Sequence, residues 1–98
     1  MEKGKATPVR ASVKHFPKEP GVYVMRDSAD TVIYVGKAKN LRNRVRSYFN
    51  TGKDAKTAVL VRRVAHVEYI VTQNEYEALL LENNLIKENR PKYNINLK

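Results

Sequence analysis

The chain has no cysteine, which excludes a disulfide framework and any thiolate metal site. Its two histidines, His15 and His66, lie far apart and lack a second ligand at metal-binding spacing. They read as ordinary surface or half-buried side chains. No stretch of about 18 apolar residues exists to span a membrane, and the opening MEKGKATPVR has no apolar core of a signal peptide. A cytoplasmic location is therefore expected. A Walker loop, a zinc signature and a serine nucleophile elbow are all missing. Glu75 and Glu77 pair two carboxylates, but without a pattern that suggests a two-metal site. Repeats, low-complexity segments and linkers are absent too.

What is present fits one small domain. Ninety-eight residues set that ceiling, and 42% hydrophobic residues suffice for a compact core. A domain of this size buries only about 60–65% of the surface its unfolded chain exposes, so modest stability is expected. Nineteen Lys and Arg against ten Asp and Glu leave a net charge of +9. Such a surplus favours a polyanion, nucleic acid or an acidic membrane surface. A long basic amphipathic helix would favour the membrane, and the chain contains none.

Residues 1–16 read as a polar arm that can form a short helix over Val9–Phe16; a domain over 17–98 follows the breaker cluster Pro17–Gly21. Two β-branched and aromatic runs, Val22–Arg26 and Thr31–Val35, flank Asp27-Ser28-Ala29-Asp30 and read as a hairpin. A four-residue loop would set Tyr23 directly opposite Tyr34, both phenols on one face. Gly36 ends the second strand. Leu41, Val45 and Phe49 then recur at helical spacing, beside a polar file of Asn40, Arg44 and Tyr48. A second helix is expected over Ala55–Ala65, a third strand over Val67–Thr72, and a long helix over Glu75–Asn89 capped by Asn74. Pro91 stops that helix, and the tail Lys92–Lys98 reads as extended or irregular. The expected fold class is α+β, a three-stranded antiparallel sheet flanked by helices.

Glu82 is the residue most out of place. Ala78, Leu79, Leu85 and Ile86 stand three or four positions away, so the carboxylate sits within an apolar stripe. Its charge needs a cation, hydrogen bonds or a wet cleft. A salt bridge to one of the many basic residues and a role as metal ligand or catalytic carboxylate both satisfy that need. Lys37, Lys39, Arg42 and Arg46 are dense enough for a phosphate-binding stripe, and equally compatible with a solvated face.

Gly21-Val22-Tyr23 followed by Tyr34-Val35-Gly36 is similar to the paired signature of the GIY-YIG nucleases, with Val in place of each Ile. The stretch Tyr34 to Phe49, then Glu77-Ala78-Leu79-Leu80-Leu81-Glu82, Asn84-Leu85-Ile86-Lys87 and Pro91-Lys92-Tyr93-Asn94, resembles the UvrC-type domains of that family, and the likeness runs from Pro17 to Lys98. The resemblance implies a catalytic set of Tyr23, Tyr34, Lys37, Arg44, Tyr48 and Asn94, with Glu82 holding one divalent cation, Mg²⁺ or Mn²⁺. It implies hydrolysis of a DNA phosphodiester on the 3′ side of a lesion during nucleotide excision repair, leaving 3′-hydroxyl and 5′-phosphate ends. Damaged double-stranded DNA is then the substrate, UvrB the delivery partner with UvrA upstream, and the isolated domain a monomer. Lys37, Lys39, Arg42, Arg46, Lys53, Lys56, Arg62 and Arg63 are the expected DNA-binding residues. The rival readings are a non-catalytic nucleic-acid-binding or UvrB-docking module, and a stand-alone repair nuclease of the same family.

Overall fold

The structure, a computed structural model, describes residues 13–50 and 54–96. The β-branched runs form strands β1, Gly21–Arg26, and β2, Val32–Ala38, and a third strand, β3, covers His66–Val71. The sheet is antiparallel throughout, in the order β2-β1-β3. As the central strand, β1 is covered on both faces, which is why Val22–Met25 reads as an unbroken apolar run rather than an alternation.

Helices α1, Leu41–Ser47, and α2, Ala55–Arg63, belong to one side of the sheet; helix α3, Glu75–Asn89, covers the other. The larger core gathers Tyr23, Met25, Ile33, Leu41, Val45 and Leu60. The smaller one sets Val22, Val24 and Val35 against Ala78, Leu81, Leu85 and Ile86 of α3. Val13 and Phe16 also enter the larger core, at 2% and 4% exposure; the first half of the helix expected over Val9–Phe16 lies outside the described residues. Asn40, Asp54 and Asn74 each accept a backbone N–H in the first turn of the helix that follows.

Several expectations need correction. Strand β2 runs through Gly36 to Ala38, so Gly36 does not end it. Phe49 lies beyond α1, which stops at Ser47, though its ring still packs on the core. The tail is not extended: Lys92–Asn96 forms a short helix, α4. Leu79 is not on the buried stripe of α3 but 38% exposed.

The hairpin register also differs. Tyr23 faces Gly36, and Tyr34 faces Met25. Two local features cause this. The turn includes Thr31, because the Asp27 amide donates to the Thr31 carbonyl at 3.0 Å and Asp27 Oδ1 accepts from the Ala29 and Thr31 amides. Pairing then starts at Arg26 with Val32, and a bulge at Ile33 moves it one further, to Met25 with Tyr34. The longer turn alone would place Tyr34 opposite Val24, on the α3 side. The bulge restores it to the Tyr23 side, where Ile33 and Tyr34 both pack on the larger core.

Candidate active site

The site forms where β1, β2, α1 and α3 meet. Tyr23 projects from the middle of β1 and is 1% exposed. Its phenol lies across Gly36: a Cβ built there would come within 2.3 Å of the Tyr23 hydroxyl. Gly36 is thus a clearance, and a glycine in a strand interior is the signal that sequence reasoning passed over. The Tyr23 hydroxyl is hydrogen-bonded to that of Tyr48 at 2.8 Å. Tyr48 caps the C-terminus of α1 and is 9% exposed, so the polar file expected along that helix turns inward at its end. Asn40, at the other end of the file, is a helix cap whose side chain accepts the Asn43 N–H at 3.0 Å.

Tyr34, Tyr23 and Tyr48 make a three-ring cluster with centroids 5.7–6.2 Å apart, a spacing that suits tilted and edge-on aromatic pairs. The Arg44 guanidinium lies over the Tyr48 ring, 5.3 Å from its centroid. Burial pushes the Tyr23 phenol up to about 12, with the Tyr48 hydrogen bond opposing. Burial raises Tyr34 as well, helped by Tyr48 and by the Glu82 charge and opposed by Arg44. Tyr48 is raised mainly by burial and then by Tyr23. The phenols in turn, Tyr23 foremost, hold the Arg44 guanidinium above its ordinary pKa. The cluster is therefore neutral phenol around a fixed cation at physiological pH.

Glu82 reaches this cluster from α3. One carboxylate oxygen accepts the backbone N–H of Lys37 at 3.0 Å, and among the described residues it makes no ion pair. The salt-bridge alternative is thus replaced by an amide of the edge strand. Lys37 directs its exposed side chain into solvent. Two residues earlier on β2, Asn94 grips Val35 twice: its Oδ1 accepts the Val35 N–H and its Nδ2 donates to the Val35 carbonyl, both at 2.8 Å. Asn94 thereby supplies the hydrogen bonds of a missing neighbouring strand and anchors α4 beside Tyr34.

The basic residues divide. Lys39 and Arg46 are exposed beside the site; Lys39 pairs at 3.9 Å with Glu75, and Arg46 donates to Asn43 Oδ1 at 3.1 Å. Arg42 turns inward, with Nε donating to the Phe16 carbonyl at 2.7 Å. Lys56, Arg62 and Arg63 line the exposed side of α2, and Lys53 lies outside the described residues. One cation went unnoticed in the sequence: Lys92, over the Tyr93 ring at 5.7 Å, on the same short helix as Asn94.

Comparison with known proteins agrees with this fold. Residues 19–95 match the family described as UvrC-like GIY-YIG domain. The UvrABC system protein C of Bdellovibrio bacteriovorus is 58% identical over all of this chain, which spans 16% of that relative's length. That of Treponema denticola is 63% identical over 84% of the chain and 13% of its own length. The magnesium-bound crystal structure of the GIY-YIG N-terminal endonuclease domain of UvrC from Thermotoga maritima superposes with a TM-score of 0.80 at 42% identity, covering 95% of this chain and 98% of that one. Point mutants of the same domain, bound to their catalytic divalent cation, match equally well at 41–42% identity. With the sheet, the paired tripeptides and nearly the whole length in agreement, the chain belongs to the UvrC-like GIY-YIG domain family.

Proposed function

We propose that this domain is a divalent-metal-dependent DNA endonuclease of nucleotide excision repair, cutting a phosphodiester on the 3′ side of a lesion. The observation that carries the reading is a cluster of three phenols and Arg44 beside Glu82, a half-buried carboxylate whose charge acts on Tyr34 and which makes no ion pair among the described residues. Damaged duplex DNA is the substrate, UvrB delivers it after UvrA, and the setting is the cytoplasm. No helix among the described residues is long and apolar enough to cross a membrane.

The residues present fit a hydrated Mg²⁺ or Mn²⁺. Among the described residues no group of three or more His, Cys, Asp or Glu forms, and hard cations that keep several waters need only one or two carboxylates. Glu82 has one oxygen held by the Lys37 amide, and the other would serve as the ligand. When bound, the cation would offset charge developing on the phosphate and the leaving 3′ oxygen. Arg44 would donate a forked pair of hydrogen bonds to non-bridging phosphate oxygens. Tyr34, as the phenolate that Arg44 and a bound cation would favour after its own proton has passed to solvent, would accept the proton of the attacking water, and Tyr23 would orient that water or Tyr34 while Tyr48 holds the Tyr23 hydroxyl in place. The Lys37 side chain, with Lys39 and Arg46, would draw in the backbone of the strand.

The test is a titration of Mn²⁺ into isotope-labelled protein, following paramagnetic broadening in wild type and Glu82→Gln. Broadening centred on Glu82 and reaching Tyr34 and Arg44, lost in the variant, supports a one-metal site. Diffuse broadening indifferent to the substitution would return the domain to a non-catalytic binding module. In a UvrB-dependent assay Arg44→Ala should abolish incision while DNA binding persists; full incision contradicts the scheme.

A further inference from the structure

A helix begins with four N–H groups that have no intrahelical partner. In α1 they are met from an unusual quarter. The Asn40 side chain takes the Asn43 amide. The two amides before it are held by carbonyls from far upstream: Leu41 N–H by Glu19 and Arg42 N–H by Pro17, each at 3.0 Å. The Arg42 side chain adds a third bond to the same segment, Nε to the Phe16 carbonyl at 2.7 Å in a half-buried setting. That segment is itself fixed, because the Phe16 ring is 4% exposed and packs on Tyr69 with centroids 4.8 Å apart. Residues 16–19 are thus a frame from which α1 is hung, and α1 carries Arg44 and delivers Tyr48 to Tyr23.

We infer that Arg42 is a positioning residue of the nuclease site rather than a DNA-phosphate contact. Its Nε is engaged by the Phe16 carbonyl, so the Nε/Nη edge that grips a phosphate from the side is unavailable. What the bond controls is the rotation of α1 about its first turn. Such a rotation moves Arg44 and the Tyr48 hydroxyl together, away from Tyr23 and Tyr34. The inference rests on the nuclease reading above.

The experiment compares Arg42→Ala, Arg42→Gln and Arg46→Ala with wild type, using a UvrB-loaded damaged duplex with Mn²⁺ for cutting and a short plain duplex for binding. Gln carries no charge but can donate to the Phe16 carbonyl. Arg42→Ala should lower the single-turnover rate at saturating DNA by roughly tenfold or more, while its affinity changes by less than about twofold and its salt slope holds. Arg46→Ala should reduce that slope by about one. Arg42→Gln should recover part of the rate. By hydrogen exchange the Leu41 and Arg42 amides should lose protection in the Ala variant and regain some in the Gln variant, and the Tyr48 ring-carbon resonance should shift with them. If both Arg42 variants reduce the slope by about one at an unchanged saturating rate, Arg42 is a phosphate contact and the inference is wrong. It also falls if the rate, amide protection and Tyr48 signal all stay at wild-type values. Should Arg42→Ala fail to fold, the Gln variant alone decides by the same criteria. A wild type that never cuts would count against the nuclease reading only; protection lost without a Tyr48 shift would then still overturn the positioning role.

Discussion

Tyr23 hides its ring under Gly36 and still finds a partner for its hydroxyl, so two residue-scale tests separate structure from chemistry. Tyr23→Phe removes the 2.8 Å bond to Tyr48 and leaves Tyr34 as the neighbouring hydroxyl; urea unfolding should show a loss of about 0.5–1.5 kcal/mol. Tyr34→Phe should do less to stability and more to the pH profile. If the Tyr34 phenolate is the reactive form, wild-type cutting should climb roughly tenfold per pH unit through the neutral range, since its pKa is raised above the ordinary value of about 10. Tyr34→Phe should flatten that climb, and a profile indifferent to the substitution would remove the base from this position. Glu82→Gln should lower the Tyr34 pKa, because the Glu82 charge is one of the influences raising it. Selective labelling of the tyrosine ring carbons would read the change. These residues were legible in the sequence because a carboxylate in an apolar stripe and two tripeptides at fixed spacing are chemically conspicuous. The raised phenols were not legible, because they arise from burial that only the assembled layers create.

The elements taught a different lesson. Long α3 and its Asn74 cap were readable to the residue, since fifteen residues of pattern and a capping side chain agree. The hairpin was not. One extra turn residue and one bulge each shift the pairing by one, and neither leaves a compositional trace in Asp27–Thr31. The face shared by Tyr23 and Tyr34 survived only because the two shifts compensate. The tail was missed for a related reason: Lys92–Asn96 is too short for periodicity, and its helix is held by Asn94 on β2. Asn94→Ala should therefore cost about 1–3 kcal/mol through two unmet groups on Val35, and the Val35 amide should exchange faster than its neighbours on β1. Alanine at Gly21 should destabilise more than alanine at Gly36. The added Cβ at Gly21 would meet the Ile70 carbonyl oxygen at 2.2 Å, and backbone cannot yield as the Tyr23 ring can.

At the scale of the whole molecule, the buried phenols set the alkaline limit. A group with a raised folded-state pKa loses its contribution as pH climbs, because the unfolded chain releases the proton first. Tyr23 moves from about 10 to about 12, so its share of stability is complete below pH 10 and falls away between those values, on the order of 3 kcal/mol. Tyr34 and Tyr48 shift in the same direction. Unfolding midpoints should hold up to about pH 10 and drop beyond it, a trend that thermal scans at low and high pH would show. The bonds from Asn94 to Val35 bridge 59 positions of sequence, and the Glu82 bond to Lys37 bridges 45. During synthesis the paired tyrosines are made well before the carboxylate and the amide that brace their strand. The nascent chain therefore carries its tyrosines before the side chains that brace their strand, and the proposed site is complete only once Asn94 has docked.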